Sequence, residues 1–137
     1  MRSVVADANV FVSFFVERNK AQQDAAQALL AAAEEGEIAG MIPQSVIFEI
    51  VYVLQSQYGL TSRQVATVVQ AITEFPGMQI VDDCAWRRVL EIWPESLAGL
   101  TDAVIVALAT TNGYDAVATF DRKLSNRLES FSLEAYW

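Results

Sequence analysis

Four carboxylates of this chain stand inside or directly beside apolar segments, and they are the residues best suited to chemistry. Glu49 is the only charged residue between Val46 and Leu54. Asp102 directly precedes the apolar run from Ala103 to Ala109. Burying a carboxylate in such surroundings is unfavourable unless a positive charge or hydrogen bonds compensate it. Both residues are therefore candidates for a functional site.

Two further acids follow short apolar segments that are typical of buried strands. Asp7 comes directly after Val4-Val5-Ala6, and Asp121 comes shortly after Ala116-Val117-Ala118-Thr119. Side chains at the carboxyl ends of parallel strands meet at one edge of a sheet, which is where such sheets bind their ligands. We therefore expect Asp7 and Asp121 to share a crevice.

Each of these acids also has an ordinary structural explanation. Glu49 could lie on a narrow polar stripe of a surface helix, and Asp102 could cap a helix or complement its dipole. Asp7 and Asp121 could be turn residues, and Asp121 could pair with the basic residues that follow it. A common site explains all four at once, because carboxylates crowded into one crevice repel each other and a divalent cation makes the cluster favourable.

The composition restricts the chemistry that such a site could perform. The chain has no histidine and a single cysteine, Cys84, which excludes histidine-based nucleophile pairs, multi-thiolate zinc sites and an internal disulfide. A site made only of oxygen ligands favours Mg²⁺ or Mn²⁺ over zinc. Sites of that kind chiefly serve phosphoryl chemistry.

Length and hydrophobicity predict one globular domain over residues 1–137, since 53% of the residues are hydrophobic. No stretch reaches the roughly 20 apolar residues that a membrane span needs. The first apolar residues follow Met1-Arg2-Ser3 so closely that no signal peptide is expected, and we expect a cytoplasmic protein.

The hydrophobic pattern predicts strands that alternate with helices. The predicted strands cover residues 4–6, 38–42, 78–81 and 116–119. The predicted helices cover residues 10–16, 22–35, 43–54, 62–75, 85–93 and 101–112. This alternation, with short connections, predicts a parallel sheet with helices on both faces.

The sequence resembles the PIN domains. The order and spacing of its acidic segments resemble those of the compact VapC-type toxins within that family. Four segments carry the resemblance, which extends over nearly the whole chain: Asp7-Ala8-Asn9-Val10, Glu49 within its apolar helix, Thr101-Asp102-Ala103, and Thr119-Phe120-Asp121. No single segment is specific, but the ordered set is. One departure is visible at Ala98-Gly99-Leu100, where many relatives carry a further acid.

The resemblance implies a three-layer α/β/α fold with a central parallel sheet of four to five strands. It also implies an endoribonuclease that depends on Mg²⁺ or Mn²⁺ and leaves a 5′-phosphate and a 3′-hydroxyl. The implied partners are the RNA substrate, a cognate antitoxin protein and a second copy of the chain in a homodimer. The implied catalytic and metal-binding residues are Asp7, Glu49, Asp102 and Asp121, with Asn9 and Thr119 supporting the site through hydrogen bonds.

Two other functions compete with this interpretation. The chain could be an inactive PIN-like module that only binds a partner protein, although four intact acids argue against it. Alternatively, Asp7 could be a nucleophile in phosphoryl transfer. That hypothesis fits poorly, because Asn9 stands where a second Asp is expected and no lysine follows the late strand at the expected place.

The net charge of −8 is unfavourable for tight, non-specific binding to nucleic acid. A metal ion would partly neutralise four of the 17 acids. Arg122, Lys123 and Arg127 follow closely after Asp121 and could meet the substrate backbone, although a solvated basic face on a last helix explains them equally well.

Overall fold

Five strands form one sheet in the computed structural model of the protein, which describes all 137 residues. The strands are β1 (Arg2–Ala6), β2 (Ile38–Pro43), β3 (Met78–Val81), β4 (Ala116–Ala118) and β5 (Glu134–Ala135). They lie in the order β3-β2-β1-β4-β5, and every neighbouring pair is parallel. The predicted fold class, an α/β protein with a parallel sheet of four to five strands, is confirmed.

Helices connect the strands and cover both faces of the sheet. They are α1 (Ala8–Phe15), α2 (Lys20–Glu34), α3 (Gln44–Ser56), α4 (Ser62–Thr73), α5 (Trp86–Ile92), α6 (Leu100–Asn112), α7 (Arg122–Ser125) and a 3-10 helix (Leu128–Phe131). Right-handed crossovers put α1 to α4 on one face and α5 to α7 on the other. The contacts agree, because α1 packs on α2 and α3, α3 packs on α4, and α6 packs on α5 and the 3-10 helix.

Helix α6 is the most deeply buried element. All seven residues from Ala103 to Ala109 are buried, as their apolar character on every side of the helix predicts. The helix ends at Gly113, whose φ of 67° lies in the left-handed region that glycine adopts without strain. None of the helices combines the length and hydrophobicity needed to cross a membrane.

Polar caps explain where the helix boundaries differ from the prediction. Helix α1 begins at Ala8 rather than residue 10, because the Asp7 carboxylate accepts a hydrogen bond from the Ala8 N–H. Helix α2 begins at Lys20 rather than residue 22, because Asn19 caps it. The apolar pattern marks the buried face of each helix but does not mark the polar first turn.

The C-terminal elements were harder to foresee. The short α7, the 3-10 helix and β5 together span only the last 16 residues and contain few turns of regular structure. Strand β5 has two residues and pairs with β4 at Ala116 and Val117. Segments this short have no hydrophobic periodicity to read, and their structure depends on packing against the finished sheet.

The strand order reverses between β1 and β4. From β1 the chain proceeds outward through β2 and β3, then returns to place β4 on the other side of β1. The register aligns Ala6 with Ala118, and the Asp7 N–H extends this ladder by donating to the Ala118 carbonyl at 2.9 Å. Open α/β sheets bind ligands at such a reversal, and Asp7 lies directly there.

Candidate active site

Asp7 is the most buried of the four predicted site acids, with only 6% of its surface exposed. One carboxylate oxygen, Oδ1, accepts from the Ala8 N–H at 2.7 Å. The other, Oδ2, accepts from the Thr119 hydroxyl at 2.7 Å. Burial raises the pKa of this carboxyl above its usual range, while the two hydrogen bonds and the helix N-terminus act in the opposite direction.

Thr119 connects the ends of β1 and β4. Its Oγ1 donates to Asp7 and accepts from the backbone N–H of Asp121 at 3.1 Å. Asp121 in turn caps α7, because its Oδ1 accepts from Lys123 N–H at 2.9 Å and from Leu124 N–H at 3.4 Å. Asp121 forms no ion pair with the basic residues that follow it. Capping thus accounts for one oxygen of Asp121 and leaves Oδ2 available toward the crevice.

Glu49 lies in the second turn of helix α3, with its carboxylate partly withdrawn from solvent. Its Oε2 is buried and has no hydrogen-bond partner, and the same is true of Ser45 Oγ one helical turn earlier. A polar stripe on a surface helix would solvate this oxygen, so that explanation does not describe it. Burial raises the pKa of Glu49 to about 7, with further contributions from the negative charges of Asp7 and Asp102.

Asp102 occupies the first turn of α6, which begins at Leu100 and has Gly99 as its N-cap residue, without a side-chain cap. Its carboxylate lies against Gly99, where an added Cβ would come within 3.3 Å of Oδ2. Helix capping therefore does not explain Asp102, although its charge still complements the helix dipole. Burial, together with the negative charges of Asp7 and Asp121, raises its pKa to about 6.

The mutual electrostatic effects connect all four predicted acids. Asp7 acts on Glu49 and Asp102, while Asp121 acts on Asp7 and Asp102. The structure therefore places the four carboxylates around the reversal of strand order, close enough to affect one another's ionisation. Each negative charge makes its neighbours harder to ionise, and none of the four acids forms an ion pair that would offset this effect.

The donor set fits a hard divalent cation by its chemistry. All candidate ligands are carboxylate oxygens, one of them is buried without a partner, and a cation would relieve the repulsion that raises the pKa values. As they stand, however, the side chains form no group of three or more that could hold a metal ion. Coordination would require the carboxylates to rotate toward one another.

Asn9 makes a different contact from the one expected of it. Its Oδ1 accepts from the guanidinium of Arg18 at 3.3 Å, and it forms no hydrogen bond with the four acids. Arg18 also donates to the buried Ser13 hydroxyl at 3.0 Å and to the Tyr58 hydroxyl at 3.4 Å. Sequence reasoning missed Arg18, because nothing in the local pattern indicates that the loop after α1 folds back onto that helix.

The fold and these acids define an α/β protein with an open parallel sheet and an acidic crevice at its topological switch point. The PIN domain family model matches residues 4–127. The chain therefore belongs to the PIN domain family, which confirms the resemblance seen in the sequence.

Two solved structures have similar folds. VapC20 from Mycobacterium tuberculosis, described as a sarcin-ricin loop cleaving toxin, aligns with a TM-score of 0.69 and 16% identity over 90% of this chain and 93% of its own. FitAcB from Neisseria gonorrhoeae aligns with a TM-score of 0.64 and 12% identity over 98% of this chain and 96% of its own. No curated protein matches the sequence at a significant level.

The raised pKa of Glu49 predicts how pH affects the metal-free protein. Between its usual pKa of 4.5 and about 7, the folded chain binds more protons at Glu49 than the unfolded chain does. The free energy of unfolding should therefore fall as pH rises through this window. Glu49→Gln removes this contribution, so the variant should gain stability over the wild type at about pH 8, on the order of 1 kcal/mol after allowance for solvent screening.

Urea unfolding in the presence of a chelator measures this difference. The pH dependence due to Glu49 should level off near pH 4, below its usual pKa of 4.5, because Glu49 is then largely protonated in both the folded and the unfolded wild type and resembles Gln in charge. Glu37→Gln is the matched control, because it removes the same charge from an exposed side chain between α2 and β2. A Glu49→Gln effect that is the same at both pH values would contradict the prediction.

Proposed function

We propose that this chain is a Mg²⁺- or Mn²⁺-dependent endoribonuclease that hydrolyses RNA phosphodiester bonds in the cytoplasm, as the toxin of a toxin-antitoxin pair. The observation that carries the proposal is the buried, unpartnered Glu49 Oε2 within a cluster of four mutually repelling carboxylates. Membership of the PIN domain family and the fold shared with a sarcin-ricin loop cleaving toxin support it.

Each acid has a distinct role in this proposal. Asp7, held by Thr119 and the start of α1, is the most rigid ligand and fixes the position of the ion. Glu49, Asp102 and Asp121 complete the ligand set from α3, α6 and the end of β4. Bound there, the ion supplies activation of water and neutralisation of phosphate charge. The protein would contribute the orientation of the ligands.

The inactive interaction module remains the second candidate, because the side chains as they stand form no ready-made metal site. A thermal-shift titration separates the two functions. A metal-binding nuclease gains stability as Mg²⁺ or Mn²⁺ is added, since the ion binds the folded state and relieves the repulsion. An inactive module without a metal site shows no such gain.

Substitution of Glu49 tests the nuclease directly. Glu49→Gln keeps the volume of the side chain but removes a charged ligand, so cleavage of an RNA substrate should fall by about a hundredfold or more. Cleavage by the wild type should require Mg²⁺ or Mn²⁺ and should stop in excess EDTA. The measurement is the rate of product formation on a labelled RNA, with Glu37→Gln as the exposed control.

Two results would contradict the nuclease proposal. One is cleavage by the wild type that persists in excess EDTA. The other is a Glu49→Gln protein that folds normally and cuts RNA at the wild-type rate.

A homodimer is the second part of the proposal. Five large apolar side chains are exposed together on α3, α5 and the start of α6: Phe48, Tyr52, Trp86, Leu90 and Leu100. Three of them, Phe48, Trp86 and Leu100, line one cavity of about 380 Å³, and Tyr52 and Leu90 lie one turn further along α3 and α5. In a twofold dimer this patch on one copy would pack against the same patch on the other copy, so that both apolar surfaces are buried.

Phe48 offers the sharpest test of this interface, because 66% of its surface is exposed. Phe48→Glu should convert a dimer into a monomer, since each copy would bury one unpaired charge in the dimer interface. Gln27→Glu adds the same charge on exposed α2 and should leave the dimer intact. Light scattering coupled to size exclusion measures the mass, and a wild-type chain that is monomeric at micromolar concentration would refute the proposal.

The antitoxin is the third part. A cluster of acids that forms no ion pair within the chain favours a partner that presents Arg or Lys, so the antitoxin should inhibit by placing a basic side chain among the carboxylates. The probe is the protein encoded by the reading frame beside this gene, purified with the chain. Replacing the basic residues of its tail by Ala should restore RNA cleavage, whereas Ala in place of neutral tail residues should not. A complex that keeps full activity would show this mechanism to be wrong.

A further inference from the structure

A second cavity lies beside Asp102, between the segment that precedes α6 and the C-terminal end of α7. It measures about 350 Å³, and its lining includes Asp102, Lys123 and Arg127. Leu124, which is buried, anchors this part of the chain so that the two basic residues, four positions apart, face the same space. Arg122 does not line the cavity, so only two of the three basic residues singled out in the sequence converge there.

Lys123 and Arg127 have no acidic partner. The three ion pairs of the chain are Arg2 with Glu134, Lys20 with Asp24, and Arg88 with Glu91. The Arg127 guanidinium instead lies over the ring of Phe131, 5.9 Å from its centroid, which leaves its edge free to donate hydrogen bonds. In a chain with 17 acids and nine bases, two unpaired cations in one cavity are well placed to bind an anion.

We propose that Lys123 and Arg127 bind a backbone phosphate of the RNA next to the one that is cleaved. The inference rests on the proposed ribonuclease function and assigns a place to the substrate within it. Arg127 would bind the phosphate oxygens through its planar guanidinium, and Lys123 would add a second charge. Both are positioning residues, because they hold the strand and take no part in breaking the bond.

The position of Asp102 favours RNA over an acidic protein segment as the ligand. The cavity contains a proposed metal ligand at one side and two cations at the other. A nucleic acid strand carries phosphates at regular intervals and can present one to the metal while another meets the cations. An acidic peptide gains only the second contact, and its other carboxylates would face Asp102 and Glu95, which also lines the cavity.

Binding of a fluorescein-labelled 12-nucleotide oligouridylate, followed by anisotropy, tests the inference. The Glu49→Gln background prevents cleavage during the measurement. Lys123→Gln with Arg127→Gln should weaken binding about tenfold or more and should reduce the slope of log K against log salt by about 0.7, the value for the loss of one phosphate contact on a single strand. Arg63→Gln with Arg87→Gln, two exposed bases outside this cavity, changes the net charge equally and should leave the slope unchanged.

A labelled polyglutamate peptide serves as a second probe. The inference would be overturned if both double variants lost equal affinity for the oligouridylate, if neither lost affinity, or if the parent protein did not bind the oligouridylate at all. It would also be overturned if the Lys123 and Arg127 substitutions weakened binding of the polyglutamate peptide alone. The last would identify an acidic protein as the ligand. The nuclease proposal is tested separately by RNA cleavage with the wild-type residue at position 49. Cleavage that is unaffected by the cavity variants refutes only the inference, whereas cavity-dependent binding without cleavage refutes only the nuclease.

Discussion

The burial of Asp7 among other carboxylates is the constraint on which the rest of this structure depends. Removing a carboxylate from water is costly, and three further negative charges nearby increase the cost. The Ala8 N–H and the Thr119 hydroxyl offset part of it, and both are available only because β1 and β4 lie side by side in one particular register. Slipping that register by one residue would turn Thr119 away from Asp7 and leave the buried carboxylate without its second partner.

The same constraint explains why the surrounding elements are so apolar. Helix α6 is buried along seven consecutive residues, and the strands that flank the switch point are buried from Val4 to Ala6 and from Ala116 to Ala118. A core of this kind supplies the hydrophobic stabilisation that lets the fold tolerate an electrostatically unfavourable crevice. Functional sites are commonly less stable than their surroundings, because their residues are selected for activity and not for stability. In this chain the buried Glu49 Oε2, which has no hydrogen-bond partner, is such a destabilising feature.

Much of the fold could be predicted from the sequence, because it depends on patterns that a linear chain displays. Alternation of strands and helices indicated the parallel sheet, and isolated acids in apolar segments indicated the crevice. The side-chain contacts could not be predicted, since they depend on how loops return to the sheet. Arg18 reaches Asn9 in this way, and Lys123 and Arg127 converge on Asp102 only after α7 has packed against the segment before α6.

The strongly negative net charge is compatible with an RNA substrate, because most of the acids lie away from the proposed site. Electrostatic interactions between exposed groups are screened beyond about 8 to 10 Å at physiological ionic strength, so the acids on distant surfaces have little effect at the crevice. In the proposed nuclease, the quantity that matters there is the balance between the four carboxylates, the cation they would bind and the two unpaired bases beside Asp102. Such an arrangement attracts a phosphate only where cation and bases act together. An enzyme built in this way binds RNA weakly in general and gains its affinity from strands whose shape brings two phosphates to these two places at once.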